Sequence, residues 1–197
     1  MTSTATATAD PTTTIEHHHA SPRFTAHTPT SATGRAHDAL TNLWDRHGDN
    51  VGVMARTMAG SPSVLEGYLD LSRAMKRSAL PRTLAEQISL SIQQRLDCAM
   101  CIAAHTAAAR RAGLSEESIA LARAGTADDP ASAALIAYAT QVHQAPATVT
   151  SQQIDELRRL GHTDRQLLDV VGLVALNHLT GAFNLVAGLH PETEDPS

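Results

Sequence analysis

Aromatic side chains are nearly missing from this chain, at 3% of its 197 residues. A core without them must be built from Ala, Leu, Val and Ile, small side chains that favour closely packed helices. Lysine occurs once, at Lys76, and no Lys/Arg cluster stands out. The formal net charge of −5 points away from nucleic acid as a partner. No stretch alternates apolar and polar residues between Asn-Gly or Asp-Gly turns, so strands are not expected. A basic start followed by a continuous apolar run is missing too, which removes a secretory signal and predicts a cytoplasmic protein. Cysteine is scarce, with two in the whole chain.

What is present is helix punctuation, from residue 35 onward. Residues 1–34 are mostly Thr, Ala, Ser and Pro and hold too little apolar surface to offset their ordering entropy, so they read as a disordered tail. His17, His18 and His19 sit within that tail. The remainder, 35–197, reads as one all-α domain. Ser61-Pro62 offers an N-cap with proline at the first helical position. Val64, Leu65, Tyr68, Leu71 and Met75 follow on one face. Thr83-Leu84-Ala85-Glu86 has the form of a capping box, opening a helix to about Arg95. Asp97 is the expected cap of the next helix, which ends near Gly113. Ser115, Asp129-Pro130, Ser151 and Thr163 mark further starts. The expected fold is an all-α bundle with the cysteines at the start of a central helix.

Residues 167–189 are apolar for more than six turns, which raises the question of a membrane span. Asp169, Asn177, His178 and Asn184 interrupt the run, and no aromatic belt or basic flank follows. The segment therefore reads as a core helix that also meets a partner subunit, in a homo-oligomer without a membrane. Leu168, Val171, Val174, Leu179 and Phe183 are spread around much of its circumference, more apolar surface than one small bundle covers.

The two cysteines fall three residues apart, in Cys98-Ala99-Met100-Cys101. On a helix they share a face, and near its start the unpaired N–H groups and dipole favour a thiolate. His105 lies one turn beyond Cys101 on that face, where an imidazole can take a thiol proton. Glu86 would be about 18 Å from Cys98 along one unbroken helix. If the chain turns near residues 95–97, Glu86 and His105 face each other across a hairpin, and the carboxylate orients the imidazole. Two plainer readings stand beside this one. Cys98, Cys101 and His105 with Glu86 make a zinc ligand set, although ligands crowded on one short helix are unusual. Alternatively the cysteines are simple core residues, and Glu86 is only a helix cap.

The runs Leu80-Pro81-Arg82-Thr83-Leu84-Ala85-Glu86, Cys98-Ala99-Met100-Cys101-Ile102-Ala103-Ala104-His105 and Arg111-Ala112-Gly113-Leu114-Ser115 resemble the carboxymuconolactone decarboxylase superfamily. Within it they are similar to the AhpD branch of alkylhydroperoxidase-like proteins, over about 62–184. The resemblance implies an AhpD-like helical fold in trimers or hexamers. It also implies peroxide reduction by a dithiol cycling through a disulfide. Cys101 would then be the attacking thiolate, and Cys98 the resolving, more exposed thiol. His105 and Glu86 would relay protons. No metal, flavin or haem is implied. A lipoyl or thioredoxin-like protein would be the external dithiol reductant. One residue departs from the branch: Met100 stands where AhpD has a histidine, and it carries no proton. A lactone decarboxylase and a non-enzymatic thiol redox sensor are the alternatives on the same fold.

Overall fold

The computed structural model describes residues 22–191, so His17, His18 and His19 lie outside the described residues. The helices run α1 Gly34–His47, α2 Val53–Met58, α3 Pro62–Met75, α4 Arg82–Leu96 and α5 Ala99–Arg111. They continue as α6 Glu116–Ala124, α7 Pro130–Gln144, α8 Ser151–Arg159 and α9 Asp164–Ala187. No strand occurs among the described residues.

Short polar side chains set several of the starts. Ser115, Asp129 and Thr163 accept the backbone N–H groups of Ser118, Ser132 and Gln166, and Thr163 with Gln166 forms a reciprocal capping box. Each such cap stabilises its helix by about 1 kcal/mol. Two expected starts differ. The cap of α8 is Thr150, with Ser151 already helical. The predicted box at Thr83 does not form, because α4 opens two residues earlier, behind Pro81, with no side-chain cap. The Glu86 carboxylate is taken by the side chains of Arg82 and His105 and not by a backbone N–H at the helix start.

Helix α4 is the axis of the fold, packed against α5, α6, α7 and α9 and buried along most of its length. Leu84, Ile88 and Ile92 join Leu135 and Ile136 of α7, Leu157 of α8, and Leu167, Val170 and Val174 of α9 in the main core. On the other side of α4, Leu90 meets Ala109, Ile119 and Ala122. A second cluster gathers Leu40, Met58 and Leu65, with Phe183 of α9 packed against it. Close approach of α9 to α4 depends on Gly181, where an added Cβ would lie 2.6 Å from both Gln93 Oε1 and a Leu96 methyl.

The apolar run of α9 divides into two faces. Val174 is buried and Phe183 packs inward, while Leu168 (72%), Val171 (44%), Leu185 (42%) and Val186 (61%) are exposed. Although α9 is long and apolar enough to cross a bilayer, it packs along its length on α3, α4 and α7.

Residues 22–33, grouped with the tail by composition, lie against the helices. The backbone N–H of Arg23 donates to Ala187 O (2.9 Å), and its guanidinium to Leu185 O and Val186 O (3.1 and 3.0 Å). These bonds satisfy carbonyls that a helix C-terminus otherwise leaves open. Further along, the His27 N–H donates to Arg56 O at 3.0 Å.

Candidate active site

The site is made by the turn between α4 and α5. Asp97 has φ 56°, ψ 37°, and it is the sole non-glycine residue at positive φ among those described. In that left-handed conformation it ends α4, so it is not the cap of α5 that the sequence suggested. The cap is Cys98, whose sulfur accepts the Cys101 N–H at 3.3 Å. A cysteine sulfur therefore occupies the place where a helix start favours negative charge, with no carboxylate competing as the cap.

The tight turn sends α5 back along α4. Glu86 and His105 meet across the hairpin, with His105 Nδ1 2.8 Å from Glu86 Oε2. An ionised carboxylate only accepts, so Nδ1 carries the proton and Nε2 is left for other partners. The other carboxylate oxygen accepts from Arg82 Nε at 2.7 Å. Burial alone would raise the Glu86 pKa, but the hydrogen bonds and charges of His105 and Arg82 outweigh it and hold the carboxyl below its usual range.

Both sulfurs are buried free thiols, Cys98 at 1% exposure and Cys101 at 5%. Cys98 is thus not the more exposed of the two, because its sulfur turns in to cap the helix. Cys98 is pulled down to about 7, first by the hydrogen bond from the Cys101 thiol, which overcomes burial, then by the N–H of Cys101, Asn184 and the N–H of Met100. The Cys101 thiol is pushed up, since its proton is held against Cys98 and burial and the Cys98 charge add to that. Asn184 Nδ2 donates to the Cys101 sulfur at 3.2 Å.

Cys101 opens on a cavity of about 290 Å³ whose wall also carries His105, Tyr68, Leu173, Leu176 and Asn184. Met100 lines it too, with a thioether that carries no proton. A neighbouring cavity of about 380 Å³ shares His105, Leu173 and Leu176 with the first and reaches Lys76 and Arg82. His105 makes no hydrogen bond to either sulfur in this resting arrangement. A surface groove of about 430 Å³ between α1 and α3 holds Arg35, Glu66, Asp70 and Arg73 and lies away from the cysteines. Among the described residues no group of three or more His, Cys, Asp or Glu side chains is arranged to hold a metal ion.

The four residues singled out from sequence thus fall at one corner, as two adjacent pairs. Sequence reasoning missed Arg82, Asn177 and Asn184. Asn177 Nδ2 donates to Ser89 Oγ (3.0 Å) and Leu173 O (2.9 Å), and its Oδ1 accepts from Gln93 (2.9 Å). The available signal was a pair of carboxamides two turns apart, on one face of an otherwise apolar helix.

A helical fold turning one sulfur of a buried dithiol toward an apolar cavity, beside a carboxylate-bound imidazole, defines an AhpD-like architecture. Residues 62–145, which hold Glu86, both cysteines and His105, match the carboxymuconolactone decarboxylase family. Solved structures share the fold. An uncharacterised peroxidase-related protein with an alkylhydroperoxidase AhpD core, from Ralstonia eutropha, superposes with a TM-score of 0.74 at 20% identity, over 88% of this chain and 93% of that one. A protein of unknown function from Agrobacterium tumefaciens, described as a putative antioxidant defence protein AhpD, gives 0.62 at 19% identity, over 69% and 96%. A debrominase in complex with 2,3,4-tribromopyrrole gives 0.63 at 17% identity, over 85% and 91%. No curated protein sequence matches the chain.

Proposed function

We propose that this protein is a thiol-dependent peroxidase that reduces hydroperoxides through a Cys98–Cys101 dithiol/disulfide cycle. The observation that carries the reading is the placement of Cys101. Its sulfur lines an apolar cavity beside a Glu86-bound imidazole, with the second sulfur next to it at the helix cap.

In this reading the Cys101 thiolate attacks the terminal oxygen of the hydroperoxide and the O–O bond breaks. The sulfur becomes a sulfenic acid, and the departing alkoxide takes a proton to leave as the alcohol. His105 receives the thiol proton and supplies it to the leaving oxygen, with Glu86 fixing the ring and stabilising its charged form. Cys98 then condenses with the sulfenic acid, closing the disulfide and releasing water. An external dithiol of the lipoyl or thioredoxin type restores both thiols by exchange, and no bound cofactor takes part. A cytoplasmic location suits the cycle, since free buried dithiols persist in a reducing compartment. The exposed apolar face of α9 is the contact of a homo-oligomer, a trimer or hexamer.

Single-turnover thiol titration tests the reading. Adding one equivalent of an alkyl hydroperoxide should consume both thiols in the wild type, while Cys98→Ser should stop at a sulfenic acid on Cys101. Thiols that survive peroxide would overturn it. An activity on lactones that persists without either cysteine would instead favour the decarboxylase reading.

A further inference from the structure

The two sulfurs differ in what they can reach. Cys98 is the less exposed, accepts the Cys101 N–H at the helix cap, and does not line the cavity. Cys101 faces the cavity, and the neighbouring Cys98 together with burial pushes its thiol up. A peroxide entering the cavity therefore meets the sulfur that must become a thiolate against that tendency. Reaction requires the Cys101 proton to leave, and in the cycle proposed above it passes to His105. The S–H bond breaks, an N–H bond forms on the imidazole, and no oxidation state changes.

We infer that Asn184 supports this proton loss by donating to the Cys101 sulfur, and is thus a positioning residue for the peroxidase chemistry proposed above. The groups around the sulfur differ in what they offer it. From α3, the half-buried Tyr68 lines the cavity, with its phenol pushed up by burial. From α4, Glu86 is bound to Arg82 and His105. On α5, His105 gives Nδ1 to Glu86 and makes no hydrogen bond to the sulfur at rest, which leaves Nε2 to take the proton. From α9, Asn184 donates to the Cys101 sulfur at 3.2 Å and is 3% exposed. Its Oδ1 is buried without a hydrogen-bond partner, so no other group fixes this carboxamide. Asn177, two turns earlier, has both ends of its carboxamide tied to the helix core and serves packing.

The amide also helps hold the Cys98 thiol down. The dependence is nevertheless unequal. Cys98 keeps the backbone N–H groups of Cys101 and Met100 when Asn184 is removed, whereas Cys101 loses its side-chain donor.

Asn184→Leu and Asn184→Asp test this, the second preserving shape while replacing the donor by an acceptor. Thiolate absorbance near 240 nm is titrated first, and rates are then compared at equal total thiolate. Alkylation by iodoacetamide, mapped by mass spectrometry, reports each sulfur without requiring peroxide. At pH 8 both variants should lose about ten- to a hundredfold in alkylation and peroxide oxidation at Cys101, with Cys98 still ionising near neutrality. Unchanged Cys101 rates at equal thiolate would overturn the assignment. So would a loss that falls equally on both sulfurs, which marks a general structural role. If wild-type thiols ignore peroxide, the peroxidase reading fails, and the alkylation arm still decides the role of Asn184.

Discussion

Glu86 Oε2 and His105 Nδ1 lie 2.8 Å apart, although they are 19 residues apart in sequence and sit on different helices. The hairpin that joins them pivots on Asp97, and the same pivot leaves Cys98 at the head of α5. Proton relay and dithiol are thus registered by one turn of backbone. His105→Ala should slow peroxide oxidation about a hundredfold, most strongly at low pH where few thiols ionise unaided. Glu86→Gln should slow it about tenfold. A Glu86→Gln protein that melts lower but reacts at the wild-type rate would reduce the carboxylate to a structural role.

The stability of reduced protein should itself depend on pH. Cys98 titrates at about 7 when folded and at 9.0 as an ordinary thiol. Between those values the unfolded chain binds the extra proton, so stability rises with pH across that window and is lost as pH falls through 7. Above 9 the raised Cys101 thiol acts in the opposite sense, because the unfolded chain then ionises more readily. Urea midpoints of reduced wild type should climb from pH 6.5 to 9, and those of Cys98→Ser should not. A flat wild-type curve would remove the thiolate from Cys98.

Peroxide-treated protein should lose two hydrogens per chain by mass spectrometry without covalent dimerisation. Cross-linking only between chains would exclude the internal disulfide.

For self-association, the two faces of α9 separate interface from core. Leu168→Glu and Val171→Glu alter exposed positions and should yield folded, smaller species, whereas Val174→Glu should unfold or aggregate. Sedimentation of the wild type at micromolar concentration should give at least twice the 20.8 kDa chain mass. A well-folded wild-type monomer would leave the exposed face of α9 without a partner copy.

The helices and the catalytic corner were legible because their signals are local. Caps such as Asp129 and Thr163 act within one turn, and Cys98, Cys101 and His105 share a helix face by spacing alone. The α4–α5 turn was harder, since an Asp before a helix reads equally as its cap or as a left-handed stop to the previous one. Here Asp97 is the stop, which only the packing of α5 back on α4 decides. Likewise Thr83 and Glu86 fit a capping box in spelling, but Arg82 and His105 claim the carboxylate. Nothing near Asn184 in sequence points to a sulfur 83 residues away. The two faces of α9 were indistinct for a related reason: nearly uniform apolar composition carries no period.

The bonds from Arg23 to the last turn of α9 give limited proteolysis a readout at the dithiol. Asn184 sits in that turn, one residue before the first carbonyl that the Arg23 guanidinium engages. A protein begun at residue 34 would lose those ties, the helix end would fray, and the amide beside Cys101 would loosen with it. Trimming the chain far from the cysteines in sequence would then change how fast they react, while the α4–α5 hairpin stayed folded.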